Sequence, residues 1–142
     1  MNILVADDEF LITLTLKAQV EAMGHRVVGM PRDGEAAVTQ TKELRPDMVL
    51  MDIGMPGLDG IAATVRIMSE APTPVIMLTA YNDRKRVQEA IRAGAVAYLL
   101  KPVNEAQLKR AIDDTTTRFR QAWAKEPKKE QRESRPSQER AK

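Results

Sequence analysis

Five polar residues stand where short apolar runs end. Asp7 and Asp8 follow Ile3–Ala6, Asp52 follows Met48–Met51, Thr79 follows Pro74–Leu78 and Lys101 follows Ala97–Leu100. Three carboxylates brought to one place repel one another, which is costly unless a cation binds or a carboxylate takes up a proton. Hard oxygen ligands, few in number and with room for waters, suit Mg²⁺. A hydroxyl and an ammonium beside them can hold the oxygens of an anion. The set fits phosphoryl transfer to a carboxylate. Asp52 would attack in line as nucleophile, Mg²⁺ would neutralise charge developing on the phosphoryl oxygens, and Lys101 and Thr79 would bind the other oxygens.

Each residue also has a plainer reading. An Asp-Asp pair before a helix commonly caps it, and Asp8 is expected to do so. Asp52 alone would be a turn residue, opening the loop Asp52-Ile53-Gly54-Met55-Pro56-Gly57-Leu58-Asp59-Gly60, whose glycines let a ligand approach the backbone closely. Thr79 alone is an ordinary β-former and Lys101 an ordinary surface lysine. Lys101, however, ends an apolar run and precedes Pro102, a candidate cis peptide bond.

The surrounding pattern supplies the elements that must position them. Ile3–Ala6, Arg26–Met30, Met48–Met51, Pro74–Leu78 and Ala97–Leu100 are strand-like, and most are continuous enough to be buried on both faces. Helical stretches lie between. Ile12, Leu16, Val20 and Met23 recur at helical spacing before Gly24, and Gly94 closes the fourth helix. Asp33, Asp59 and Asn82 or Asp83 are candidate N-caps, and Asn104 with Gln107 resembles a capping box. Fivefold strand–helix alternation predicts an α/β fold with a parallel sheet. A closed barrel needs about 250 residues, so an open, doubly wound sheet is expected. Strand 2 ends at Met30-Pro31 with nothing reactive. Order 2-1-3-4-5 puts that strand at an edge and gathers the other four ends around one cleft, where ligands bind in such sheets.

Composition narrows the chemistry. The 142 residues include no cysteine and one histidine, His25, so disulfides, thiolate nucleophiles and multi-histidine metal sites are excluded. No apolar run is long enough to span a bilayer, and the first residues lack the basic n-region of a signal peptide; a cytoplasmic protein is expected, without membrane insertion. The net charge is +2, but residues 124–142 hold seven Lys and Arg against four Glu, leaving about −1 for the rest. Nucleic acid is therefore not expected as a partner of the domain. The stretch 121–142 is predicted to be a charged, disordered tail after a domain of residues 1–120, with the fifth helix continuing to about residue 124. Leu108, Ile112, Thr115, Phe119 and Ala122 form a heptad-like stripe on that helix.

With these residues in this order, the sequence resembles the receiver domain of two-component response regulators, over roughly Asn2 to Arg120. The resemblance is carried by Asp7-Asp8, Asp52 with Met55-Pro56-Gly57-Leu58-Asp59-Gly60, Thr79-Ala80 and Lys101-Pro102. It implies a flavodoxin-like fold and a signalling switch rather than an enzyme. Asp52 would accept a phosphoryl group from the phosphohistidine of a sensor histidine kinase or phosphotransfer protein. Asp8, Asp52 and the Gly54 carbonyl would bind Mg²⁺, with Asp7 helping through water. Thr79 would move toward the phosphoryl group, Tyr98 would turn inward, and Lys101 would pair with the phosphoryl charge. Gly54 and Tyr81 would tune dephosphorylation in opposite directions.

Few residues follow the fifth helix, so a stand-alone receiver acting on a separate downstream effector is expected, with a phosphorelay intermediate as the alternative. The helix with Arg118-Phe119-Arg120 is also similar to the connection in regulators carrying an RNA-binding antiterminator module, and a homodimer paired through it is one expected arrangement. A phosphatase of the haloacid dehalogenase type uses similar residues, but its nucleophile ends strand 1 in an Asp-x-Asp pattern, whereas strand 1 here ends Asp7-Asp8-Glu9. A degenerate receiver that works without phosphorylation would not need the full set.

Overall fold

The computed structural model describes residues 1–80 and 84–124. The expected caps Asn82 and Asp83, the tuning residue Tyr81 and the charged stretch from residue 125 onward lie outside the described residues. The elements alternate as expected: β1 (Asn2–Ala6), α1 (Phe10–Ala22), β2 (Arg26–Gly29), α2 (Gly34–Leu44), β3 (Met48–Asp52), α3 (Gly60–Glu70), β4 (Val75–Thr79), α4 (Arg84–Ala93), β5 (Ala97–Leu100) and α5 (Glu105–Ala124). All pairings are parallel and the order is β2-β1-β3-β4-β5.

The chain divides into two compact units, Met1–Ala111 and Ile112–Lys142. The first holds the sheet, α1 to α4 and the start of α5. One face of the sheet presents Leu4, Ala6, Val49, Met51, Val75 and Met77, and these join Ala37 and Val38 of α2, Ala63 and Ile67 of α3 and Ala90 of α4 in one buried cluster. The alternate row Ile3, Val5, Leu50, Ile76 and Leu78 is equally buried, as the period of two requires. α1 lies against β1 and β2, burying Leu16 and Val20. Of the described second unit, Ile112 and Thr115 are buried and Phe119 is 42% exposed.

Three expectations are refined. First, burial on both faces holds for β1, β3 and β4, whereas β2 and β5 are partly exposed because each has a neighbour on one side only. Second, β4 starts after Pro74, which has no N–H to donate; its carbonyl accepts from Val49 N at 2.9 Å. The strand therefore runs through Thr79. β3 likewise runs through Asp52, which pairs with Leu78. Third, Asp33 and Asp59 cap α2 and α3, each accepting a backbone N–H at 2.8 Å, and Asn104 accepts from Gln107 N at 3.1 Å, but Asp8 caps nothing. The N-cap of α1 is Glu9, whose side chain makes no capping bond.

Lys42 and Arg66 share Glu70 at 2.9 Å each, and Arg66 reaches Glu35 at 3.0 Å, tying α2 to α3. The Arg66 and Lys42 bonds hold the Glu70 carboxyl down to about 2. A depressed acid contributes stability above its unfolded value and loses it as pH falls toward the folded one. Glu70→Gln should therefore lower the Tm slightly at pH 7, and the gap to the native chain should close between pH 4.5 and 2. Thermal melts across that range check this.

Candidate functional site

The sheet order places the ends of β1, β3, β4 and β5 side by side, and their polar residues meet there. Lys101 is the hub. Its ammonium lies 3.1 Å from Asp52 Oδ1, 2.7 Å from Asp7 Oδ2 and 3.5 Å from Glu9 Oε1. Its backbone N–H donates to the Thr79 carbonyl at 2.8 Å, and the Lys101-Pro102 bond is cis. The Asp7 and Asp52 residues are buried, and the Lys101 side chain is only 8% exposed. A lysine sunk this deep retains its charge only because carboxylates surround it. Burial alone would lower its pKa, but contact with Asp7 and Asp52 outweighs that and raises it.

Asp52 shows the opposite balance. Burial pushes its carboxyl above the ordinary range. The Lys101 hydrogen bond opposes that, the Asp7 charge reinforces it, and the Gly54 backbone eases it a little. A carboxylate raised in this way is short of positive charge. Asp7, Asp8 and Asp52 can each offer an oxygen such that all three lie within 4.8 Å of one another. Asp7 Oδ2 is buried without a hydrogen-bond partner, because its approach to Lys101 is close but not aligned as a hydrogen bond. Asp7 Oδ1 is engaged by Glu9 N at 2.9 Å. The Asp7 oxygen that no aligned hydrogen bond satisfies, the Asp52 carboxylate and a partly open Asp8 form a donor set that fits a small, hard divalent cation keeping some of its waters.

The remaining expected residues are placed as follows. Thr79 is buried at the end of β4. Gly54 is exposed, and a side chain there would meet nothing within 4 Å. Tyr98 is two strands from Asp52, beside Met77 in the register, with 45% of its surface exposed; it faces solvent and does not enter the cluster.

Two residues join the site that the strand-end pattern missed. Glu9, next in sequence to Asp7-Asp8, reaches Lys101. Arg32 donates from its Nη2 to the Asp8 carbonyl at 3.3 Å, while the Pro31 carbonyl accepts from Asp7 N at 3.2 Å. The loop after strand 2 thus braces the acid pair, while the strand itself stands at the sheet edge with nothing reactive at its end, as expected. The signal for Glu9 was adjacency. Arg32 acts across a loop, and only its charge could have hinted at it.

Comparison with known proteins is consistent with this geometry. The family profile "Response regulator receiver domain" matches residues 3–113. The chain is 40% identical over 125 residues to "Transcriptional regulatory protein PdtaR" of Mycobacterium tuberculosis, covering 88% of this chain and 61% of the relative. The chain therefore spans less than two thirds of that relative's length. Among solved structures, the response regulator domain of Thermotoga maritima CheB is 35% identical with a TM-score of 0.71, covering 89% of this chain and 98% of that one. The CheX-CheY-BeF3-Mg+2 complex from Borrelia burgdorferi gives 28% identity and a TM-score of 0.78, covering 82% of this chain and 89% of that one.

Proposed function

The chain belongs to the response regulator receiver family, and on that premise we propose that Asp52 is its phosphoacceptor. The observation that carries this is the buried Asp52–Lys101–Asp7 cluster with Asp8 at its rim. Asp52 is the last residue of the central strand β3, paired with Leu78 of β4, and the next N–H, of Ile53, donates to the Leu78 carbonyl at 3.0 Å, so its backbone is fixed. A carboxylate oxygen of Asp52 bonds to phosphorus as the bond from phosphorus to the donor's imidazole nitrogen breaks, the nitrogen leaving with the electron pair. Asp7, Asp8, Asp52 and the Gly54 carbonyl would hold Mg²⁺, which supplies charge neutralisation on the phosphoryl oxygens.

The chain's own residues do the rest. Lys101 gives up its bond to Asp52 Oδ1 and turns its ammonium to a phosphoryl oxygen. The Thr79 hydroxyl takes another. Tyr98, outward in this structure, turns inward behind Thr79, altering the β5 surface that a partner reads. The donor is a phosphohistidine of a sensor kinase or phosphotransfer protein, and the reader is a downstream effector. The domain is assigned to residues 1–120, with a homodimer through α5 as one output arrangement.

Incubation with Mg²⁺ and acetyl phosphate, followed by intact mass measurement, tests this. The native chain should gain one phosphoryl group and Asp52→Asn none. No gain by the native chain with several donors, or an equal gain by Asp52→Asn, would sink the proposal.

A further inference from the structure

Glu9 has no part in the function as proposed, yet its carboxylate is turned toward the cluster. It occupies the N-cap of α1, where Ser, Thr, Asp and Asn are preferred because their short side chains reach the first free N–H groups. Glu9 makes no such bond. Its backbone is nonetheless pinned, the N–H on Asp7 Oδ1 at 2.9 Å and the carbonyl accepting Thr13 N and Oγ1 at 3.0 Å each. Only the side chain is free to adjust, and its Oε1 lies 3.5 Å from Lys101 Nζ.

A lysine ammonium has three N–H donors and no acceptor. Lys101 has three carboxylates around it, of which the Asp7 and Asp52 side chains are 0% and 9% exposed and that of Glu9 is 62% exposed. A divalent cation on the Asp7 and Asp52 oxygens both occupies them and repels the ammonium. Glu9 is then the carboxylate still within reach, on the solvent side of the lysine. We infer that Glu9 is a positioning residue that draws the Lys101 ammonium off Asp52 and holds it at the rim, making room for the cation and freeing the Asp52 oxygen. This rests on the reading of Asp7, Asp8 and Asp52 as a Mg²⁺ site. In that role Glu9 acts through Lys101, not as a further charge near the metal.

A double-mutant cycle separates those two actions. Mg²⁺ affinity is measured by calorimetry on the full chain for the native sequence, Glu9→Gln, Lys101→Met and the double variant, with Lys101→Gln as a second neutral background and melts to verify folding. Glu9→Gln should weaken Mg²⁺ binding about three- to fivefold, the scale of a solvent-side ion pair. In either neutral Lys101 background the same change should have less than about a twofold effect, because no ammonium is left to draw away. Equal weakening in all backgrounds would make Glu9 a bystander charge and overturn the inference. So would an unchanged affinity in Glu9→Gln alone. Absence of Mg²⁺ binding by the native chain would overturn the metal reading, and this inference with it.

Discussion

Gly60→Ala will cost the domain about 3 kcal/mol, while Gly54→Ala, six positions away in the same loop, will leave stability nearly unchanged. Gly60 opens α3 and donates its N–H to the Ile53 carbonyl at 2.9 Å. A Cβ on it would overlap the Asp52 carbonyl oxygen and approach Asp52 C and Ile53 Cα at 2.9 Å. Those atoms are backbone at the end of β3 and just beyond it, so they cannot rotate aside as a side chain could. The helix or the end of β3 must shift, and forced overpacking of this kind typically costs 1–3 kcal/mol. The end of β3 carries Asp52, so Mg²⁺ affinity should fall in the same variant. Gly54 has no such neighbour and no positive φ. Urea unfolding of both variants checks the contrast; equal losses would mean that the close approach at Gly60 is not what makes glycine necessary there.

Asp52→Asn will melt above the native chain in magnesium-free buffer at pH 7, and the order will reverse or close when Mg²⁺ is added. The sign follows from the raised carboxyl. An acid whose folded pKa lies above its unfolded value favours the fold while protonated, and that contribution is lost as pH rises through the folded value. At pH 7 the native chain therefore keeps an ionised group in a place that disfavours it, chiefly through burial and also through Asp7. The amide removes that charge at the same size, at the expense of the Lys101 bond. A gain on the order of 1 kcal/mol, or about 3–6 °C in Tm, is expected. Mg²⁺ should then raise the native Tm far more than that of the variant, since binding to the folded state alone stabilises it. Differential scanning calorimetry with and without Mg²⁺ decides this; a variant that melts lower in both buffers would mean that the Lys101–Asp52 bond outweighs the burial of charge.

Much of this site was legible because it is built from strand ends. A parallel sheet brings the carboxyl ends of its strands together, so Asp7, Asp52, Thr79 and Lys101 could be gathered from spacing alone, and the silent end of strand 2 located the edge. Asp33 and Asp59 were legible as caps because capping is local in sequence. The exposure of β5 was not, since an edge is a property of the sheet and not of the strand. Asp8 was misjudged as a cap because the chain places Glu9 there instead. Glu9 and Arg32 escaped for a common reason. Each acts through a long side chain, to Lys101 and to the Asp8 carbonyl, and no periodicity records that reach.

The split between a central β3 and an edge β5 bears on how such a chain can diversify. Every residue of β3 is buried, so a change there is felt at once by neighbours on two strands and two helix layers. Tyr98 and Leu100 on β5 are 45% and 43% exposed, and Leu99 between them is less so. Tyr98 is tied to the proposed switch, so Leu100 is the outward position whose side chain can change without touching the acid cluster or the core. The same edge strand leads directly into Lys101, so its outward row and the acid cluster share one stretch of backbone. β3 is held by packing on both faces, and the outward row of β5 by contacts on one face only.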